Sequence, residues 1–237
     1  MQVIPVIDVR GGEVVHAAGG DRARYQPIRT PLAEGSDPVA IARALLALGS
    51  FSTLYVADLD GIEGRGADLH LVARLATTLA GTELWVDNGA ASRAAAAPLL
   101  AFQRATIVVG SETLASAATL KEISTAARDR LVLSLDFRGE TFLGPPGLLG
   151  NADLWPRRVI VMTMARVGSN TGPDLARIAD IAGRGGEARR VYAAGGIRDA
   201  ADLAAALEAG AAGALVATAL HAGKIRAGDL REIAGSS

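Results

Sequence analysis

Two aspartates far apart in the chain occur in nearly the same local sequence. Asp8 lies in I-D-V-R-G-G-E at residues 7–13, and Asp136 lies in L-D-F-R-G-E at residues 135–140. Each follows a short apolar run typical of a buried β-strand, so each carboxylate is expected at the carboxyl end of a strand. Two separated carboxylates suit acid–base chemistry, in which one accepts a proton and the other, with a raised pKa, donates one. The alternative is that both aspartates merely cap the glycine turns that follow them.

A second pattern, at residues 191–220, suits an anion. A short apolar run ends at Gly195 and Gly196, a helix follows, and another apolar run closes on Ala217 and Thr218. Backbone N–H groups at glycine turns and helix N-termini attract phosphate oxygens. These four residues are therefore predicted to bind phosphate, and a tight turn without a ligand is the alternative.

The same order of features occurs earlier in the chain at an identical spacing. The four residues that take the corresponding places are Asn88, Gly89, Gly110 and Ser111. A repeat of this length predicts two similar half-domains. It also predicts a second phosphate-binding site, so that the ligand would carry a phosphate at each end. The alternative is one working site and one relic of the repeat.

The segment 16–34 has neither helical nor strand periodicity and predicts a long loop. Loops of this length in compact domains usually serve function. Arg22 could hold an anionic substrate and Tyr25 could stack on a ring, although a solvated arginine and a loop-pinning tyrosine fit the sequence equally well. The loop could close the site as a lid or block it as a plug. Asp58, which ends another predicted strand, is a further substrate-binding candidate.

The balance of charges favours a small-molecule partner. Basic and acidic side chains number 24 and 25, and no long run of either charge occurs. This balance argues against a nucleic-acid surface and against a polybasic membrane patch. We therefore expect a phosphorylated small molecule as the partner, with no nucleic acid and no membrane.

Cysteine is absent from the sequence, which excludes disulfides and thiolate metal ligands. The three histidines are scattered without metal-ligand spacing, so neither a metal nor another cofactor is expected. The N-terminus runs into an apolar strand pattern rather than a signal peptide, and glycine and glutamate interrupt the most apolar stretch. A cytoplasmic protein is therefore expected. With 237 residues, 50% of them hydrophobic, residues 1–237 are expected to form one domain.

The elements that must position these residues follow a regular order of strands and helices. The strands are predicted at residues 3–7, 54–57, 83–86, 106–109, 131–135, 159–163, 191–194 and 214–217. The helices are predicted over 38–48 and 116–128, and from about residues 68, 173 and 199. This pattern predicts an α/β fold, a (β/α)8 TIM barrel of two similar half-barrels, with its active site at the carboxyl ends of the strands.

One connection departs from that pattern. Between Asp136 and the sixth strand, Pro145, Pro146 and Pro156 together with several glycines leave no room for a full helix. The fifth covering helix is therefore predicted to be shortened or missing. Trp155 is expected to fill the resulting gap in the outer wall, with an exposed partner contact as the alternative.

Taken together, four stretches of sequence resemble the HisA/HisF family of histidine-biosynthesis barrels. They are I-P-V-I-D-V-R-G-G-E-V-V, Y-V-A-D-L-D-G-I-E-G, S-L-D-F-R-G and A-A-G-G-I-R-D-A-A-D-L, the last followed by A-L-V-A-T-A-L-H-A-G-K-I. The resemblance covers nearly the whole chain. It implies an aldose–ketose isomerase that performs an Amadori rearrangement on a phosphorylated, ribose-derived metabolite. Asp8 and Asp136 match the two catalytic aspartates of that branch, and Thr163 lies one place from its supporting threonine.

The chain departs from the family at positions that would contact the substrate. R-V-G-S at residues 166–169 replaces R-D-G-T, which still implies a substrate contact for Arg166 and a phosphate contact for Ser169. Where the family usually has an arginine and a glutamine after the first strand, this chain has His16 and Ala18. Ala91 takes the place of an arginine, Met162 that of the threonine, and Ala217 that of a phosphate-site glycine. Because both aspartates are kept, a changed substrate is expected rather than lost catalysis.

The chain also resembles a divergent HisA/HisF-related subgroup, associated with archaea and with bacteria that use methanofuran- or methanopterin-type cofactors. That resemblance implies, as an alternative, a role in the biosynthesis of a one-carbon cofactor. A non-catalytic phosphate-binding or assembly subunit is the other alternative.

Overall fold

The computed structural model describes residues 1–17, 22–169 and 171–235, with Arg22 and Ala234 described by their backbone alone. Eight parallel strands form a closed barrel, since the last strand pairs with the first. In chain order, barrel strands 1 to 8 are Gln2–Arg10, Thr53–Asp58, Glu83–Asp87, Ala105–Gly110, Leu131–Arg138, Arg158–Thr163, Arg190–Ala194 and Gly213–Val216. The predicted TIM-barrel fold is confirmed. Seven of the predicted strands lie entirely within the observed ones. The eighth, predicted over 214–217, extends one residue beyond Gly213–Val216.

Helices cover the outside of the barrel. They are Pro38–Leu46, Leu69–Thr78, Arg93–Leu100, Ala117–Ala127, Leu175–Gly185, Ala200–Glu208 and Ala227–Gly235, with short helices at Leu59–Ile62 and Thr218–His221. Six of the seven long helices follow an aspartate or serine whose side chain accepts an N–H from the first turn. One of these caps, Asp174, moves a helix start from the predicted residue 173 to Leu175. In the described part of the chain, no helix is long and apolar enough to cross a membrane.

The interior of the barrel is filled by side chains that alternate with outward-facing ones along each strand. Trp85 and Tyr192 meet edge to face with ring centroids 4.8 Å apart. The other interior residues include Ile4, Tyr55, Ala57, Val108, Val132, Ile160, Ala194 and Leu215. These side chains fill the barrel interior below its carboxyl end. The same alternation directs Asp8 and Asp136 toward the open carboxyl end of the barrel.

Each of the two aspartates lies at the base of a β-hairpin. Asp8 pairs with Val15 across the turn that follows strand 1, and Asp136 pairs with Leu143 across the turn that follows strand 5. The first hairpin continues into Gln26–Pro27, so part of the predicted long loop is short β-structure. The two hairpins match locally, and the half-barrel repeat of the whole chain stays a prediction.

The connection between strands 5 and 6 contains no α-helix, as predicted. A short strand, Thr141–Leu143, and a 3-10 turn, Ala152–Leu154, take its place. Trp155 fills the gap, because its side chain is 3% exposed and its Nε1 donates to the carbonyl oxygen of Leu148 at 2.8 Å. The apolar ring therefore replaces the packing that a helix would supply.

Trp155→Ala is expected to lower the free energy of unfolding by about 3–5 kcal/mol, because it opens a large cavity under the wall. Urea denaturation followed by circular dichroism measures the change. Trp155→Phe is the matched control: it keeps most of the ring volume, loses the hydrogen bond to Leu148, and should cost less than half as much. A loss below about 1 kcal/mol for the alanine variant would contradict the wall-filling role.

Candidate active site

A cavity of about 310 Å³ opens at the carboxyl ends of the barrel strands. Its walls bring together residues from both halves of the chain, as expected for the active site of such a barrel. The acidic lining residues are Asp8 on strand 1, Asp87 on strand 3, Glu112 after strand 4 and Asp136 on strand 5. Basic residues line the side formed by strands 6 to 8, namely Arg166, Arg198 and Lys224. The basic lining residues therefore belong to strands 6 to 8, and three of the four acidic ones belong to strands 3 to 5.

Asp136 is the most deeply buried of these carboxylates, with 4% of its surface exposed. One oxygen accepts the hydroxyl of Ser134 at 2.6 Å, and the other accepts the N–H of Glu112 at 3.2 Å. Burial raises the pKa of Asp136 to about 7; these hydrogen bonds oppose the rise, and the charges of Asp87 and Glu112 add to it. Near neutral pH this carboxyl group therefore holds a proton in a large fraction of molecules.

Asp8 lines the same cavity from strand 1, which lies opposite strand 5 in the closed barrel. It is half-buried, so water reaches it more readily than it reaches Asp136. The structure thus brings together the two aspartates that the sequence pairs.

The phenol of Tyr55 lies among the carboxylates and donates to Asp87 Oδ2 at 3.3 Å. Burial raises the pKa of Tyr55 well above its usual value, and three nearby carboxylates raise it further. Those carboxylates are Asp87, Asp136 and Asp8. The hydroxyl therefore stays protonated and remains a hydrogen-bond donor to Asp87.

Sequence reasoning missed four of the charged or phenolic lining residues. They are Tyr55, Glu112, Arg198 and Lys224. A signal existed for Tyr55, because it lies on a predicted strand at an inward-facing position near its carboxyl end. The other three follow strand ends in loops or turns, where periodicity does not indicate direction.

The predicted phosphate-binding residues after strands 7 and 8 do meet at the cavity. Gly195, Gly196, Ala217 and Thr218 all line it. Both glycines have positive φ angles, 92° and 91°. A β-carbon on Gly196 would lie 2.2 Å from the carbonyl oxygen of Gly172, so a larger residue would displace the neighbouring loop.

The cations on this wall are held in different ways. Asp202 binds Arg198 through two guanidinium nitrogens at 2.8 Å each. Arg166 donates to the carbonyl oxygen of Gly172 at 2.9 Å. Lys224 is exposed, and its ammonium forms no ion pair within residues 1–17, 22–169 and 171–235. Ser169 lies away from the cavity, with its hydroxyl 3.0 Å from the carbonyl oxygen of Arg166.

The second predicted phosphate site does not border the cavity. Its four residues, Asn88, Gly89, Gly110 and Ser111, are absent from the cavity wall. Ser111 is fully buried, and its hydroxyl donates to the carbonyl oxygen of Leu143 at 2.5 Å. The structure therefore places one of the two predicted groups of phosphate-binding residues at the cavity and the other outside its wall.

Two further predicted residues lie outside the cavity. Thr163 faces outward from strand 6, where its hydroxyl is 3.5 Å from Asp174 Oδ2, and Met162 lines the cavity instead. Asp58 is buried and accepts the N–H groups of Gly61 at 3.1 Å and Asp68 at 2.7 Å. Asp58 therefore caps the segment after strand 2.

Tyr25 does line the cavity, as predicted for a substrate contact. The guanidinium carbon of Arg10 lies 5.9 Å from the centre of its ring, within range of a cation–π contact. The side chain of Arg22 and the whole of Ala18 lie outside the described residues. Within the described chain, no group of three histidines or carboxylates is placed to hold a metal ion.

Comparison with known proteins shows the family to which the chain belongs. The family model described as histidine biosynthesis protein matches residues 2–147 and 151–226. The chain belongs to this family. The predicted membership of the HisA/HisF family is therefore confirmed over nearly the whole chain.

Individual relatives align along nearly their full length. An uncharacterized protein of Methanocaldococcus jannaschii is 28% identical over 98% of this chain and 97% of its own length. Isomerases of Deinococcus radiodurans and Rubrobacter xylanophilus are 31% and 32% identical, covering 94% and 98% of this chain and 95% and 96% of their own lengths. Both are named imidazole-4-carboxamide isomerases, and the name places two 5-phosphoribosyl groups on their substrate.

Proposed function

We propose that this HisA/HisF-family chain is an isomerase that performs an Amadori-type aldose–ketose rearrangement on a phosphorylated, ribose-derived aminoaldose. One observation carries the proposal: the buried, high-pKa carboxyl group of Asp136 shares a cavity with Asp8 and with a cationic, glycine-rich wall. The isomerases that match the chain over nearly its full length support the same type of reaction.

Asp136 suits the role of general acid. A carboxyl group with a pKa raised to about 7 is protonated in about half of the molecules at neutral pH, and in that form it can give its proton to the ring oxygen of a furanose. As that O–H bond forms, the bond between the ring oxygen and C1 breaks. The lone pair of the attached nitrogen forms a C=N bond to C1, which leaves an open-chain iminium ion.

Asp8 suits the role of base, because it faces the same cavity from the opposite strand and is less deeply buried. It removes the proton from C2 of the iminium ion. The C–H electron pair then forms a C1=C2 bond, and the nitrogen becomes neutral in the resulting enolamine. Asp8, now protonated, gives a proton to C1, and the ionised Asp136 takes the C2 hydroxyl proton as the C2=O bond forms. The product is the aminoketose, an isomer of the starting compound, and both carboxyl groups regain their starting protonation states.

The wall after strands 7 and 8 suits the phosphate group of the substrate. Gly195 and Gly196 let the backbone approach a ligand, and Lys224 supplies an exposed positive charge. Holding the phosphate there would fix the reacting carbons against the two aspartates. Thr163 is left out of this assignment because its side chain lies on the outer face of the barrel.

Lys224→Met is expected to raise the KM for a phosphorylated aminoaldose by about 10- to 100-fold, with a smaller change in kcat. The reason is that a charge-assisted contact to the phosphate is lost while the acid and base remain. Steady-state kinetics measure both constants. Lys121→Met, on the outer helix Ala117–Ala127, is the matched control and should leave them unchanged. An unaltered KM in the Lys224 variant would contradict the phosphate assignment.

The reaction itself is tested with an N-aryl ribosylamine 5-phosphate in D2O, monitored by nuclear magnetic resonance. The expected product is the aminoketose with deuterium at C1, formed at a rate proportional to the protein concentration. The doubly phosphoribosylated substrate of the related isomerases is tested in parallel. Conversion of neither compound would overturn the proposal, and it would favour the non-catalytic phosphate-binding role. A role in one-carbon cofactor biosynthesis stays a prediction.

A further inference from the structure

A doubly phosphorylated ligand needs a second anion site across the cavity from Lys224. The structure fills the place where the sequence predicts that site. A β-carbon on Gly89 would lie 2.7 Å from the carbonyl oxygen of Gly61 and 2.8 Å from the Cα of Ile62. This glycine is therefore required by close packing of two chain segments. Its N–H donates to Asp87 Oδ1 at 3.1 Å, so the amide faces a carboxylate of the chain itself.

The neighbouring turn is filled in the same way. A β-carbon on Gly110 would lie 3.1 Å from Asp136 Oδ2, so a carboxylate occupies the space beside this backbone. The N–H of Glu112 donates to the same carboxylate oxygen at 3.2 Å, and the hydroxyl of Ser111 donates to the carbonyl oxygen of Leu143 at 2.5 Å. Two donors that a phosphate would need at this turn are thus used within the chain.

The charges of the wall lead to the same conclusion. Asp87, Glu112 and Asp136 line the side near strands 3 to 5, and the first two raise the pKa of the third by repulsion. A phosphate dianion placed there would meet the same repulsion in a partly desolvated cavity. Hydrogen-bond donors, by contrast, find several carboxylate oxygens within the same wall.

From these observations we propose that the site takes a substrate with a single phosphate group, whose far end presents an amine or hydroxyl donor instead of a second phosphate. The phosphate lies against Lys224 and the glycine turn, and the donor end lies among the carboxylates. This inference rests on the proposed function, because both use the same cavity. It separates the chain from the related isomerases, whose named substrate carries two phosphoribosyl groups.

The test compares ribulose 5-phosphate with ribulose 1,5-bisphosphate, which differ by the one phosphate in question, by isothermal titration calorimetry. The monophosphate is expected to bind at least about tenfold more tightly. Bisphosphate binding that is equal or tighter overturns the single-phosphate inference and leaves the proposed isomerisation standing. Binding of neither compound removes the phosphate site and, with it, both proposals.

Variants show where the preference arises. Glu112→Gln removes one negative charge at nearly constant shape, so the monophosphate-to-bisphosphate affinity ratio should fall toward one. Glu122→Gln, on the outer helix Ala117–Ala127, is the matched control and should keep the wild-type ratio. Lys224→Met should weaken the binding of both compounds. An unchanged ratio in the Glu112 variant contradicts the assignment of the acidic wall as the element that rejects the second phosphate.

Discussion

Asp136→Asn is expected to lower kcat by about 10³-fold or more while the affinity for a phosphorylated ligand stays within a few fold. Asparagine matches aspartate in size and can still accept the hydroxyl of Ser134, so the wall of the cavity is kept. What it cannot do is give a proton to the ring oxygen. The residues proposed to bind the phosphate follow strands 7 and 8, whereas Asp136 lies on strand 5.

The measurement is single-turnover conversion of the N-aryl ribosylamine 5-phosphate, together with calorimetric binding of ribulose 5-phosphate. Asp129→Asn is the matched control, since Asp129 lies just before strand 5 at the opposite end of the barrel. Wild-type turnover in the Asp136 variant would contradict its role as acid. Loss of turnover together with loss of binding would indicate a collapsed site instead.

Stability at two pH values shows whether the variant is folded as intended. Burial raises the pKa of Asp136 in the folded chain above its unfolded value, so the folded state binds the proton more tightly. The stability that this gives is complete below the unfolded pKa, near 4, and is lost as the pH rises through about 7. Asparagine does not titrate. Asp136→Asn should therefore gain stability relative to wild type between pH 5 and pH 8.

The sequence was sufficient to predict the order of strands in the barrel and the position of Asp8 and Asp136 at strand ends, because both depend on local patterns. Short apolar runs that end in a polar residue predict strand ends, and the parallel topology brings those ends together. Asp8 and Asp136 follow such runs directly. The absence of a helix after strand 5 also depends on a local pattern, because prolines disfavour a helix whatever the tertiary structure around them.

Whether the earlier glycine turns, at Gly89 and Gly110, are open to a phosphate could not be predicted from local patterns. Gly89 resembles a ligand-binding glycine in the sequence, but its close neighbours are Gly61 and Ile62, which belong to the short helix after strand 2. No local pattern reports that contact. Thr163 shows a second limit: side chains alternate along a strand, so an alignment offset of one residue moves a side chain from the cavity to the outer face.

The acidity of Asp136 leads to the second large effect, a loss of activity in alkaline solution. If Asp136 must be protonated to react, kcat should fall about tenfold per pH unit above its pKa and be about a hundredfold lower at pH 9 than at pH 6. The pKa raised to about 7 by burial sets the position of that fall. Measurements of kcat at saturating substrate, with a check for reversible recovery at pH 7, give the profile.

Two variants should move this fall in opposite directions, which a merely structural role would not produce. Ser134 donates to Asp136 at 2.6 Å and stabilises its ionised form, so Ser134→Ala should raise the pKa and shift the fall to higher pH. Glu112 repels the ionised form, so Glu112→Gln should shift it to lower pH. A flat profile from pH 6 to 9 in wild type, or shifts of the same sign in both variants, would assign the titration to a group other than Asp136. Opposite shifts would identify Asp136 as the proton donor whose burial sets the working pH of the enzyme.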